Sequence, residues 1–147
     1  FRAELGQASE YVGTPSKKMD ALWDAIIDLP MILIDAETMN RLEQQTSNAK
    51  GRNGKYYAMV EVFHQLHCLN MLRKSTRREY YQKDSALGDA EHIGLIHHCI
   101  DILRQVLMCN ADTGLITFTD VGQDEWPSPR FSTKHTCRNY SAVVEWV

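Results

Sequence analysis

The stretch Val60-Glu61-Val62-Phe63-His64-Gln65-Leu66-His67-Cys68-Leu69-Asn70-Met71-Leu72-Arg73 decides how the chain is read. Its apolar and imidazole side chains recur at helical steps, and neither Gly nor Pro interrupts residues 57–82. The periodicity predicts one long helix from Tyr57 to about Gln82. His64 and His67, three apart on it, project from nearly one face. Cys68 is four beyond His64 and lies within about 40° of it around the axis, from 3.6 residues per turn.

Outward from there, Ser85 to Asp89 reads as a turn, and Asp89 as the cap of a second long helix from Ala90 to about Cys109. Its apolar set is Ile93, Ile96, Ile100, Leu103 and Leu107, with Gly114 near its stop. This helix carries His97, His98 and Cys99, with Asp101 three beyond His98. Two adjacent antiparallel helices joined by a short turn would bring the two sets together.

The flanks are simpler. Residues 1–15 read as irregular, and Ser16 caps a helix from Lys17 whose stripe is Met19, Leu22, Trp23, Ile26 and Ile27. Pro30 ends it. Residues 31–34 read as extended chain, Asp35 caps a helix through about Gln45, and residues 46–55 form a polar loop. Leu115 to Thr119 predicts a short strand, residues 122–134 a surface loop, and the stretch from Thr136 to Trp146 a short helix. The expected fold is mainly α. It is a single helical domain over residues 1–147, built on two long antiparallel helices with one or two minor β-strands.

Composition agrees with one ordinary domain, since 147 residues suffice for a real core. A net charge of −3 leaves no electrostatic footprint for nucleic acid. The basic cluster Arg73, Lys74, Arg77 and Arg78 reads as a solvated helix face, a phosphate or partner contact being the minority alternative. No apolar run approaches the roughly 20 residues that span a bilayer. The chain begins at Phe1 rather than Met and is read as an excised piece of a longer protein, open to the loss of an N-terminal membrane anchor. Four cysteines (Cys68, Cys99, Cys109, Cys137) allow three pairings if all are bridged. With the glycosylation sequon at Asn139, they point to the secretory pathway, an endomembrane lumen or the extracellular space.

The histidines suit a metal. Neutral imidazoles satisfy copper, zinc, iron or nickel. Two at i, i+3 and a third from a neighbouring helix make a three-nitrogen site, and Asp101 could orient a ligand ring through its other nitrogen. The spacing is not that of a zinc finger, and the Glu of His-Glu-x-x-His helices is missing. Without further knowledge, ligation by His64 and His67 weighs evenly against ordinary hydrogen-bonded helix histidines. His97 and His98 diverge by about 100° and do not both serve one ion. His92 reads as a capping or surface group. Tyr56, Tyr57, Tyr80, Tyr81 and Trp126 could line a pocket, with ordinary packing the preferred reading.

The segment Val62 to Arg73 resembles the first HxxHC motif of the fungal UstYa-like proteins. His98-Cys99-Ile100-Asp101, followed by Leu103-Arg104-Gln105 and Met108-Cys109, resembles the second. His135-Thr136-Cys137-Arg138 before Trp146, and Gly13-x-Pro15-Ser16 before Trp23, are similar to that family's terminal segments. The resemblance implies a single-pass anchor, a lumenal domain, and oxidation in fungal secondary-metabolite or cyclic-peptide (mycotoxin) biosynthesis. It implies a copper cofactor, with zinc the alternative, and molecular oxygen as co-substrate. The outcomes it suggests are cyclisation, hydroxylation, desaturation or halogenation of a small-molecule or peptide substrate.

Carried over by position, the ligands are His64, His67 and His98, with His135 and His97 weaker. Leu95 stands where the second motif wants a histidine or tyrosine. Motif symmetry suggests disulfides Cys68–Cys99 and Cys109–Cys137. A structural zinc or non-catalytic partner subunit, and a copper electron carrier using the Cys68 or Cys99 thiolate, stay open, as does a homo- or heterodimer.

Overall fold

The computed structural model describes residues 1–42, 48–81, 88–120, 122 and 126–147. The fold among these residues is mainly helical, with two small antiparallel strand pairs. Helix α1 runs Lys17–Ile27, strand β1 Ile32–Ile34 and helix α2 Ala36–Arg41. Strand β2 is Tyr56–Ala58, followed by helices α3 (Glu61–Ser75), α4 (Arg78–Tyr81) and α5 (Asp89–Asn110). Strands β3 (Thr117–Thr119) and β4 (Ser128–Arg130) precede helix α6 (Tyr140–Trp146).

The expected caps of the first two helices are present. Ser16 Oγ accepts a hydrogen bond from the Met19 amide at 3.2 Å. Asp35 Oδ1 accepts one from Thr38 at 2.8 Å. Each satisfies an amide that a helix start otherwise leaves unpaired. The expected end of α2 at Gln45, the Gln82 end of the long helix and most of the expected turn from Ser85 lie outside the described residues.

Four expectations are corrected. The helix expected from Tyr57 begins at Glu61, because residues 56–58 pair with β1 in the register Ile32–Ala58, Leu33–Tyr57 and Ile34–Tyr56. Tyrosines set against Leu33 and Ile34 across the ribbon outweigh a helical period of three or four residues. The same helix stops at Ser75 before α4 begins. Ser75 Oγ and Thr76 Oγ1 donate to the carbonyls of Leu72 and Arg73 at 2.7 and 2.8 Å, the local side-chain bonding that favours helix ends. Helix α5 starts one residue earlier than expected, with Gly88 rather than Asp89 at the cap, and Asp89 instead bonds Arg78 at 2.8 Å. Within the expected loop 122–134, residues 128–130 pair with β3, where Pro129 is tolerated because the two-stranded ribbon has only edges.

The core is small. Met19 and Trp23 of α1, Phe63 and Cys68 of α3, Cys99 of α5 and Met39 of α2 are its buried apolar side chains. Helix α3 packs against both α1 and α5, most extensively against α5. Tyr140 of α6 closes the end of this layer. Its ring meets Phe63 edge-on at 6.1 Å, and its hydroxyl donates to the Ile26 carbonyl at 2.9 Å. No helix among the described residues is long and apolar enough to cross a membrane.

The basic cluster does not form one solvated face. Arg73 turns inward, where its Nη2 meets Asp20 Oδ1 at 2.7 Å, its Nη1 donates to Tyr81 Oη at 2.8 Å and its Nε donates to buried Asn70 at 2.8 Å. Its guanidinium also lies 5.4 Å from the Trp23 ring centre. A charge that finds a carboxylate, a phenol and an amide can leave water without being orphaned.

Candidate metal centre

The α3–α5 contact brings three potential donors into one group: His64, Cys68 and His98. One ligand atom from each lies within 4.8 Å of the others. His64 Nε2 is 3.3 Å from His98 Nε2 and 3.8 Å from Cys68 Sγ. The i, i+4 step on α3 places the first two over one another, and α5 supplies the third. Cys68 is buried, His64 half-buried and His98 exposed, so the group opens to solvent on the His98 side.

The donor chemistry fits a metal ion. Two nitrogens held by one ion at about 2.0–2.1 Å stand roughly 3.3 Å apart at a tetrahedral angle. The two Nε2 atoms already have that separation, 3.3 Å. Imidazole and thiolate together suit copper or zinc. Glu61, three before His64, places Oε2 3.9 Å from the outer Nδ1 of that ring. A carboxylate facing the outer nitrogen of a ligating histidine is the usual orienting arrangement. Glu61 was missed in the sequence reading, although its i, i+3 spacing was the available signal.

The remaining expected site residues lie elsewhere. His67 is outside the group. It borders a recess of about 290 Å³ with Asp24, Ile27, Asp28, Asn70, Met71 and Lys74. Three residues on a helix differ by about 60° in direction. On α3 that is enough to send His64 toward α5 and His67 toward the end of α1. Asp101 bonds along its own helix, to Arg104 Nε at 2.8 Å and Gln105 at 2.7 Å. Those two bonds, led by Arg104, hold its carboxyl below the usual range, and the neighbouring His98 adds to the effect. His97 is exposed beside His98. His135 sits in a different constellation, with Nδ1 3.2 Å from Asp112 and Nε2 2.6 Å from Thr133 Oγ1. Asn139 caps α6, accepting from the Ala142 amide at 3.3 Å. Trp126 is exposed, and Tyr81 belongs to the Arg73 cluster.

All four cysteines are free thiols here, with Cys68 and Cys99 buried and Cys109 and Cys137 exposed. Cys68 and Cys99, which motif symmetry suggested as a disulfide, are instead buried thiols in a hydrogen bond, and Cys109 and Cys137 are likewise unbridged. Burial, and then the bond to Cys68, push the Cys99 thiol up to about 12. Cys99 lies outside the donor group.

Comparison with known proteins adds lineage to this geometry. The family model described as "Mycotoxin biosynthesis protein UstYa" matches residues 2–147. Among curated proteins, UstYa family oxidase aprY of Aspergillus flavus is 31% identical over 90% of this chain and 44% of its own length. UstYa family oxidase phomYc of Diaporthe leptostromiformis is 30% identical over 97% of this chain and 59% of its own length. Its companion phomYd is 31% identical over 97% of this chain and 47% of its own. The chain thus spans about half the length of these relatives. No solved structure matches it. With nearly every residue covered by the family model, and both His-Cys motifs meeting at the α3–α5 contact, the chain belongs to the UstYa family of mycotoxin biosynthesis proteins.

Proposed function

We propose that this chain is the metal-binding part of a copper-dependent oxidase, working in the secretory lumen on a fungal secondary metabolite or cyclic peptide. The observation that supports this most directly is the convergence of His64 Nε2, His98 Nε2 and Cys68 Sγ across the α3–α5 contact. The relatives aprY and phomYc are named oxidases. Bound copper would supply one-electron chemistry toward molecular oxygen, and zinc could not.

The chain's own residues do the rest. His64 and His98 hold the ion from two helices, with Cys68 behind them on the buried side. Glu61, with Oε2 3.9 Å from Nδ1, stands on the outer side of the His64 ring, within reach of it after a small side-chain rotation. Buried Cys68 and Cys99 keep water from the back of the site, while exposed His98 leaves the front open to a substrate. C–H or phenol oxidation, ending in cyclisation, hydroxylation, desaturation or halogenation, would take place on that open side.

The presence of Cys68 favours one second reading. A site of two imidazoles and one thiolate is the ligand set of copper electron carriers. An intense visible thiolate-to-copper absorption on copper loading, abolished in Cys68→Ser, would select that reading. Its absence, with copper still bound, selects the oxidase.

The deciding experiment is elemental analysis of protein never exposed to a nickel column. The expected result is about one copper per chain (the count follows from the single donor group among the described residues), lost in both His64→Ala and His98→Ala and largely kept in His67→Ala. Zinc in place of copper, or metal content indifferent to His64 and His98, would overturn the proposal.

A further inference from the structure

A second constellation shares no residue with the metal donors. After α5 and after β4, two loops face each other across a cavity of about 570 Å³. That volume lies in the usual range of small-molecule sites. Its walls are apolar, from Leu5, Leu115, Ile116 and Phe131. Its polar end is a relay of three side chains. Asp112 Oδ2 is 3.2 Å from His135 Nδ1, and His135 Nε2 is 2.6 Å from Thr133 Oγ1. The Gly114 amide donates to the other Asp112 oxygen at 2.8 Å and fixes the carboxylate. The Phe1 ring stacks on the imidazole at 3.6 Å, so the ring stays in place.

The direction of the relay follows from valence. A carboxylate only accepts, so the proton between Asp112 and a neutral imidazole sits on Nδ1. Nε2 is then an acceptor, and the Thr133 hydroxyl gives it its one proton. Thr133 Oγ1 keeps only lone pairs for anything in the cavity. Hydrogen bonds in series polarise one another, so this oxygen is a stronger acceptor than an isolated threonine. An ether or ketone would meet it lone pair to lone pair. An alcohol would not.

We propose that this cavity is a binding site for a small apolar molecule ending in one hydroxyl group, with the hydroxyl donating to Thr133 Oγ1 and the apolar body against Leu115, Ile116 and Phe131. The site is independent of the metal reading and survives its failure. An Asp–His–Thr strap that only joins two loops would show no preference for a donor.

The test uses a matched pair on the unaltered chain, benzyl alcohol and benzyl methyl ether, titrated by NMR. The alcohol should shift resonances of Leu115, Ile116 and Phe131 and bind about five-fold or more tightly than the ether, as one net hydrogen bond requires. In Thr133→Val the two probes should bind equally. Equal affinities in the unaltered chain, shifts mapping away from these residues, or a preference that persists in Thr133→Val would each overturn the proposal. If Thr133→Val does not fold, the matched pair alone decides it.

Discussion

At the scale of single residues, burial divides the chemistry. Cys68 and Cys99 are shut inside the α3–α5 contact, whereas Cys109 and Cys137 are exposed. Thiols react as thiolates and only where reagents reach them. Brief iodoacetamide treatment at pH 8 should therefore label Cys109 and Cys137 at least about ten-fold faster than Cys68 and Cys99. Mass spectrometry of the digest reads this directly, and uniform labelling would refute the burial. Much of this site was legible in the sequence. His64 and His98 stood out because imidazoles at helical spacing are rare, and the repeated His-Cys pair hinted that their helices meet. The part played by His67 was not legible. A helix face about 60° wide is one face on paper and two when a neighbour packs on each side. Asp112 gave no signal either, because His135 is brought to it only by the packing of two loops, and Thr133, two residues from His135, gains its meaning only once that pair exists.

At the scale of elements, helix ends depart most from expectation. Helix α5 ends on Ala111, whose φ of 40° and ψ of 58° are left-handed, and whose amide donates to the Leu107 carbonyl at 2.9 Å. That is the place where glycine is normally found. A methyl group in this conformation costs about 1–2 kcal/mol, partly offset by glycine's freer unfolded chain. Ala111→Gly should stabilise the fold by about 0.5–1 kcal/mol, raising Tm by about 2–4 °C at most for a chain of this size. Differential scanning calorimetry measures it, and a lower Tm would show that the methyl group earns contacts elsewhere. The sequence pointed to Gly114 as the stop because the residue in the left-handed conformation is an alanine. Starts were easier to read than stops. Ser16 and Asp35 cap α1 and α2 through side-chain oxygens, which a sequence displays. The Tyr56–Ala58 strand was hidden because its partner lies more than twenty residues earlier.

At the scale of the whole molecule, the cluster around Arg73 ties α1, α3 and α4 together. The Arg73 and Asp20 side chains are only 12% and 23% exposed. Burial alone would raise the Asp20 pKa. The hydrogen bonds from Arg73 and Tyr81, with the Arg73 charge, outweigh it and hold the carboxyl below its ordinary value. A carboxyl depressed in the folded state contributes stability that is complete above its unfolded value near 4 and fades as pH falls through the lower folded value. Arg73→Met should cost about 2–3 kcal/mol at pH 7, since it strands a largely buried charge. The gap between the two proteins should narrow below about pH 4, where a protonated Asp20 no longer needs its partner. Urea melts at pH 7 and pH 3 check this, and a gap that does not change with pH would contradict it. The sequence could not show this cluster, because a run of Arg and Lys on a helix looks solvated until one member finds a buried carboxylate.

Trp23 lies beneath that guanidinium at 5% exposure, with its indole nitrogen donating to the Tyr11 carbonyl at 2.9 Å, while Trp126 and Trp146 are 93% and 70% exposed. Acrylamide in the buffer would quench the emission of those two and leave the third as an optical gauge of whether α1 is seated.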